Sequence, residues 1–499
     1  MTRVVTSRLC DAEELAAVLR PRRGPVTERE VGERRFEAER GPVDAYTRRV
    51  EVEDLPDGRF RVTDAIQYTL AIPFFGWMFG PPFRWAMRRP GDRSPWWTPP
   101  EALDARATSA LAAVAVLAIV GGYVTSVLGT SVAFAAREFH AAPGEQGVAG
   151  TVVRFGVIVA MVVAAVADRR GRRAVILVAL GASCVLTSTG AAVPSLGWLA
   201  ASQVLARSLA LGGLIAAAIL VAEEVPAGSR AYAVSLLTMA AGFGAGIGVM
   251  ALPLADLGPG GWRFLYLLPL AGLLLLPAAA RHLPESRRYQ APHPDAQLTR
   301  HGRRFWLLAA SAFLVNLLAA PSGFFLSRYL LEERAFSAVG VSLFTLAAGT
   351  PAVIGLFVGG RLADTRGRRP VGAVALMVGT VTTVFVYFAA GWPMWAWSIA
   401  GSIVAAAGVP ALGVYGAELF PTSLRGRTGG LLAIVGVAGS GAGLLTAGFL
   451  AEDLGRFGPA LAPLAVGPLL VAVLVLVAYP ETARRSLEDL NPEDAAPSA

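Results

Sequence analysis

From about residue 108 onward the chain alternates long apolar runs with short polar breaks, and the runs are all of one size. Twelve stand out, at 108–135, 147–167, 174–193, 197–222, 231–254 and 262–280, then at 304–328, 338–361, 371–391, 394–416, 428–450 and 458–478. A helix needs about 20 mostly apolar residues to cross hydrocarbon. Backbone placed there must satisfy its own hydrogen bonds, so each run is expected to be a helix. The period-two alternation of barrel strands does not occur in them.

Before the first run the pattern changes. "DAEELAAVLR" reads as a short amphipathic helix, and "DAYTRRVEVEDLPDGRFRVTDAIQYTL" as a hairpin of two alternating runs around Pro56, Asp57 and Gly58. "AIPFFGWMFGPPFRWAMRRP" mixes Phe, Trp and Arg as a segment lying in the headgroup layer does, or a plug against the inner mouth. Its Gly80-Pro81-Pro82 argues against one continuous spanning helix. The expected layout is an N-terminal extension with this interfacial segment (1–105), a six-helix bundle (106–283), a central loop (284–303), a second bundle (304–480) and a tail (481–499).

Composition supports a membrane protein. Of 499 residues 54% are hydrophobic and 16% charged, with mean hydropathy +0.54. Soluble proteins carry about 25% charge. The net charge is +8 and no lysine occurs. A basic balance can indicate nucleic acid, but here the arginines gather in alternate short loops: Arg169, Arg170, Arg172 and Arg173 in one, Arg366, Arg368 and Arg369 in another. The positive-inside rule then sets these loops, and both termini, in the cytoplasm of a multi-pass plasma-membrane protein. The N-terminus lacks the apolar core of a signal peptide. Two cysteines and four histidines give neither a disulfide framework nor a metal spacing. No cofactor, metal or nucleic-acid partner is expected, and nothing resembles a nucleophile–base pair or a P-loop, so no enzyme activity is expected.

Three motifs recur at one offset. "ADRRGRR" at 167–173 returns as "ADTRGRR" at 363–369, with Asp168 and Asp364 separated by 196 (364 − 168). "EEVPAGSR" after the fourth run matches "ELFPTSLR" after the tenth, Glu223 with Glu418 and Arg230 with Arg425, at 195. "PES" after the sixth matches "PET" after the twelfth, Glu285 with Glu481, at 196. Three motifs in the same order and nearly constant register imply a duplicated six-helix unit. The expected fold is an all-α membrane protein of twelve transmembrane helices in two pseudo-symmetric six-helix bundles, with a small N-terminal cytoplasmic α+β extension.

On these motifs the chain resembles the major facilitator superfamily of transporters, over about residues 108 to 490. "PESRRY", "AELFPTSLRGR" and "PETARRSLEDL" resemble its sugar-porter and metabolite-symporter branches. The resemblance implies that Asp168, Arg172, Glu223 and Arg230, with Asp364, Arg368, Glu418 and Arg425, form a conformational latch on the cytoplasmic side. The chemistry is compatible. A carboxylate can accept from a helix N-terminus, Gly171 and Gly367 permit tight turns, and arginines can pair with Glu223 and Glu418. The competing reading is a plain positive-inside loop.

Charges at bilayer depth are costly and usually functional. Arg154 lies 14 residues before Asp168, about 21 Å at 1.5 Å per residue, well inside the second run; Arg207 lies mid-way along the fourth. Their repeat partners are Thr350 and Ser402, so the duplication is broken at these two places. A guanidinium grips a carboxylate or phosphate through two parallel hydrogen bonds, so both arginines are candidate substrate ligands; the alternative is pinning to backbone carbonyls. First and seventh helices line the cavity in the family, which implies Tyr123 and Asn316 as further candidates. No Asp or Glu lies mid-run, which argues against proton coupling through a membrane carboxylate. The seventh run lacks the Gln-Leu-Ser of sugar porters, and the fifth lacks the Gly-Pro pair of drug antiporters. The expected function is secondary active or facilitative transport, by a monomer, of a small solute, an organic anion or metabolite, through alternating access. Efflux of drug-like amphipathic compounds and a non-transporting receptor of the same fold are the alternatives.

Overall fold

The computed structural model describes residues 1–56, 58–89, 95, 97–99, 101–226, 229–285, 301–420 and 422–482. Among them, twelve helices are long and apolar enough to cross a bilayer. Spans 1 to 6 are Ala105–Glu138, Pro143–Ala167, Arg172–Ala192, Leu196–Val221, Tyr232–Leu257 and Arg263–His282. Spans 7 to 12 are Gly302–Phe324, Ala338–Leu356, Arg368–Phe388, Trp392–Gly413, Thr428–Leu454 and Phe457–Ala478. They form two six-helix halves. The end carrying the N-terminal extension and the arginine-rich loops is termed the near end, and the opposite end the far end.

Glycine sets how closely the helices cross. A Cβ on Gly244 of span 5 would collide with the Ile119 carbonyl of span 1, and one on Gly443 of span 11 with the Leu317 carbonyl of span 7. The same device thus works at equivalent crossings of the two halves, where small residues let backbones meet.

The second helix of each half is broken at matching places. Span 2 divides at Gly156 into Pro143–Phe155 and Val157–Arg170. Span 8 divides at Pro351, between Ala338–Gly349 and Ala352–Arg366. Glycine and proline are the usual sites of such kinks.

Hydrogen bonds between the halves gather at the far end. Asp256 at the end of span 5 accepts from the Ala338 and Val339 amides that open span 8, at 3.0 and 3.1 Å. Ser342 donates to the Val249 carbonyl at 2.8 Å. Arg328 donates to Gln146 at 3.0 Å, and Thr151 of span 2 to the Gly441 carbonyl of span 11 at 3.2 Å. Pro143–Phe155 packs along span 11 through facing glycines, Gly147 against Leu444 and Gly448 against Pro143. Past the break, Val157–Arg170 touches span 11 at few points. The halves are closed at the far end and part from Gly156 toward the near end.

The extension is more than the predicted hairpin. Strands β1 (Thr2–Cys10), β2 (Thr27–Gly32), β3 (Arg35–Arg40), β4 (Val43–Asp54) and β5 (Phe60–Leu70) form one antiparallel sheet in the order β1-β5-β4-β3-β2. Helix α1 (Ala12–Val18) sits where the amphipathic pattern put it, opened by a capping box between Asp11 and Glu14. Strands β1, β2 and β3 lie outside the hairpin read from the sequence; on β2 the one buried side chain is the charged Glu28. Arg48 on β4 is fully buried and bonds Glu28 at 2.6 Å and Asp64 at 2.9 Å. Arg22 adds to Asp64 at 2.6 Å and the Tyr46 hydroxyl to Glu28 at 2.5 Å. Burial opposes the Arg48 charge, but Glu28 and Asp64 outweigh it and hold its pKa above the ordinary arginine value. Helix α2 (Gly76–Arg88) runs through Pro81 and Pro82; its 13 residues reach about 20 Å, too short to span.

Removing Arg48 takes away the buried cation that Glu28 and Asp64 share. Arg48→Ala is expected to destabilise the sheet by about 3–5 kcal/mol. Limited proteolysis of the whole chain reads this as cleavage accelerated at least 100-fold inside residues 1–90, with the spans still protected. Unchanged protection would show that the cluster is dispensable.

Candidate functional site: an arginine pair at the parting of the halves

Arg154 stands in the last turn of Pro143–Phe155, two residues before the break. Phe155 beside it touches span 11 at Gly441. Arg207 belongs to the long helix Leu196–Glu224. Both helices start at the far end, and each arginine lies eleven residues past its helix's first residue (154 − 143 and 207 − 196). At 1.5 Å per residue both sit about 17 Å deep. The two helices meet here with almost no spacing: a Cβ on Gly156 would clash with Ser208 and lie 3.1 Å from the Val204 carbonyl, and one on Gly212 would lie 2.8 Å from the Ala160 carbonyl. The fold therefore sets Arg154 and Arg207 beside a close crossing of their two helices. Each is half-buried. Neither has a hydrogen bond or ion pair among the described residues.

The other two predicted ligands already have partners. Tyr123 is buried, and its hydroxyl donates to the Leu265 carbonyl of span 6 at 2.7 Å. Asn316 donates to the Ala312 carbonyl at 2.9 Å and accepts from Ser440 at 3.2 Å, joining span 7 to span 11 within the second half. In each case the polar side chain has a hydrogen-bond partner inside its own half.

The near-end loops show a symmetric construction. Arg172 pairs with Glu223, and Arg368 with Glu418. Each pair ties the start of a third span to the end of a fourth inside one half. The Glu285 carboxylate accepts from the amides of Arg172 (2.8 Å) and Arg173 (3.3 Å), and Glu481 from those of Arg368 (3.0 Å) and Arg369 (3.2 Å). These glutamates cap the N-termini of spans 3 and 9, where an anion is favoured. Sequence reading gave that role to Asp168 and Asp364, whose side chains, with those of Arg230 and Arg425, lie outside the described residues. The "PES" and "PET" repeat was visible, but its partner is over 100 residues away in sequence, so the role was not.

Gly171 (φ +94°) and Gly367 (φ +101°) make the turn. A Cβ on Gly171 would lie 3.0 Å from the Glu285 carboxylate, and one on Gly367 2.8 Å from that of Glu481. Glycine is required twice over, for its backbone angle and for the carboxylate's approach. Gly171→Ala and Glu285→Ala are each expected to cost about 1–3 kcal/mol. Because they disrupt one contact, the double variant should cost less than the sum. Thermal unfolding of the purified protein measures this, and strict additivity would refute the shared contact.

The sequence matches the Major Facilitator Superfamily over residues 114–350 and 308–497, well over half the chain. No curated protein matches it. Among solved structures, a bacterial homolog of the human lysosomal transporter Spinster, inward-facing and unoccupied, is 16% identical with a TM-score of 0.59. That match covers 79% of this chain and 99% of the other. The xylose transporter XylE from E. coli, in an inward open conformation, is 16% identical with a TM-score of 0.63, covering 78% and 99%. The nucleoside transporter NupG is 10% identical with a TM-score of 0.62, covering 74% and 100%. At these identities the likeness is one of fold. The family match, the twelve spans and the paired halves make this chain a multi-pass membrane transporter that belongs to the Major Facilitator Superfamily.

Proposed function

We propose that this transporter carries a small organic anion, bearing a carboxylate or phosphate, and binds it between Arg154 and Arg207. The observation behind this reading is the charge balance. Two guanidinium groups share one depth, and no acid among the described residues pairs with either. A lone charge at that depth costs several kcal/mol, and two like charges add to each other's cost. A bound anion offsets both, through parallel charge-assisted bonds.

Position supports the same reading. The arginines stand where the halves stop touching, so the path from the near end leads to them. Rocking about this point closes the near end and opens the far end, which is alternating access around one site. The arginine-rich near end faces the cytoplasm in this reading, so the open path leads inward and both termini lie inside the plasma membrane. The near-end pairs Arg172–Glu223 and Arg368–Glu418 keep each half rigid as it moves. Glu138, Glu223, Asp256, Glu418 and Glu452 lie at span ends, so uniport or anion exchange suits the chain better than proton coupling through a mid-span carboxylate.

A thermal-shift panel on purified protein, with a dicarboxylate, a phosphate ester, a neutral sugar and a quaternary amine, sorts the substrate class. Anions alone are expected to stabilise it. Arg154→Gln and Arg207→Gln should each weaken that response about 10- to 100-fold, the worth of a hydrogen bond to a charged group (about 1.5–3 kcal/mol), and abolish counterflow in proteoliposomes. A full anion response in both variants would overturn the assignment.

A further inference from the structure

A cavity lies where the extension meets the first half. It measures about 320 Å³, within the roughly 300–1,000 Å³ of ligand sites. Its floor is Leu111, Ala112 and Ala115 of span 1 with Leu236 of span 5. Phe75, Phe79 and Phe83, at the start of and along α2, form a wall. Tyr232 closes one side, its hydroxyl donating to the Trp97 carbonyl at 3.0 Å.

Polarity is graded along the cavity. Arg23, Thr27, Thr98 and Glu101 line it at the extension and linker. From Leu103 the lining follows span 1 inward to Ala115, twelve residues (115 − 103) or about 18 Å. The cavity thus runs from headgroup level into the depth of the acyl chains. Arg40 pairs with Glu101 at 3.3 Å, and Arg23 brings a guanidinium group to the mouth. Its five N–H donors allow it to serve more than one acceptor. On the outer face of α2, Trp77 and Trp85 are exposed beside Arg84, Arg88 and Arg89, a mixture suited to the membrane surface.

We infer that this cavity binds a single acyl chain with an anionic head, the tail lying along Ala112, Ala115 and Leu236 and the head at Arg23. The volume is too small for both tails of a diacyl lipid. Bound there, the chain would fasten the sheet domain to spans 1 and 5. The ligand is either a free medium-chain carboxylate or one chain of an anionic phospholipid.

The test uses the full chain in phosphatidylcholine nanodiscs, titrated with tail-brominated decanoate or tail-brominated short-chain phosphatidylglycerol. Bromine quenches tryptophan on contact, and Trp97 lines the cavity. Saturable quenching is expected for one of the two probes, which identifies the source, and it should disappear in Trp97→Phe. Ala115→Phe, which fills the floor, should raise the half-saturating concentration at least tenfold. Arg23→Gln should do the same for the anionic probe while leaving brominated decanol unaffected. Quenching that is unsaturable with both probes, or unchanged in Trp97→Phe, would overturn the inference even if Ala115→Phe failed to fold.

Discussion

A guanidinium group keeps its charge at any depth, so an arginine inside a bilayer must be answered by water, by an acid or by a ligand. Here two arginines share one level and no described acid answers them. That constraint organises the rest of the structure. Arg154 and Arg207 are held together by a helix crossing that only Gly156 and Gly212 allow. They stand at the break in span 2, where contact with the second half ends. In the proposed function, a site at that junction is reached from whichever end is open, without moving the two arginines within their own half.

Such a device needs halves that move as bodies, and the near-end loops supply this. In each half one glutamate caps a helix start, one glycine lets it approach, and one arginine pairs with the end of another span. These bonds lie within halves. Among the described residues, those that join the halves lie toward the far end, and several of them are side chain to backbone: Asp256 on two amides, Ser342 and Thr151 on carbonyls. A contact of that kind breaks without leaving a buried ion unpaired, which suits an interface that opens and closes.

Much of this was legible in the sequence. Twelve apolar runs gave the spans, because hydrocarbon permits only one local structure for them. A constant offset between charged motifs gave the duplication, and the absence of a repeat partner singled out both arginines. For Tyr123 and Asn316 the sequence marks which helix carries the polar group but not its partners; their hydrogen bonds run to Leu265, Ala312 and Ser440. The sheet was half hidden for a related reason. Strands were sought by apolar alternation, yet β2 buries only Glu28, where ionic pairing with Arg48 replaces apolar packing. Glu285 and Glu481 could be matched to each other but not to the helices they cap, which only folding brings near.

The account's central claim is that the two halves tilt as rigid bodies about the arginine pair. Distances between spin labels across the halves measure this directly: at the near end on Arg169 and Arg366, at the far end on Arg137 and Asp453, all exposed, with the buried Cys10 and Cys184 first replaced by serine. On adding a stabilising anion the near-end distance should shorten as the far-end distance lengthens. Two distances that both stay fixed, or that change in the same direction, would contradict it.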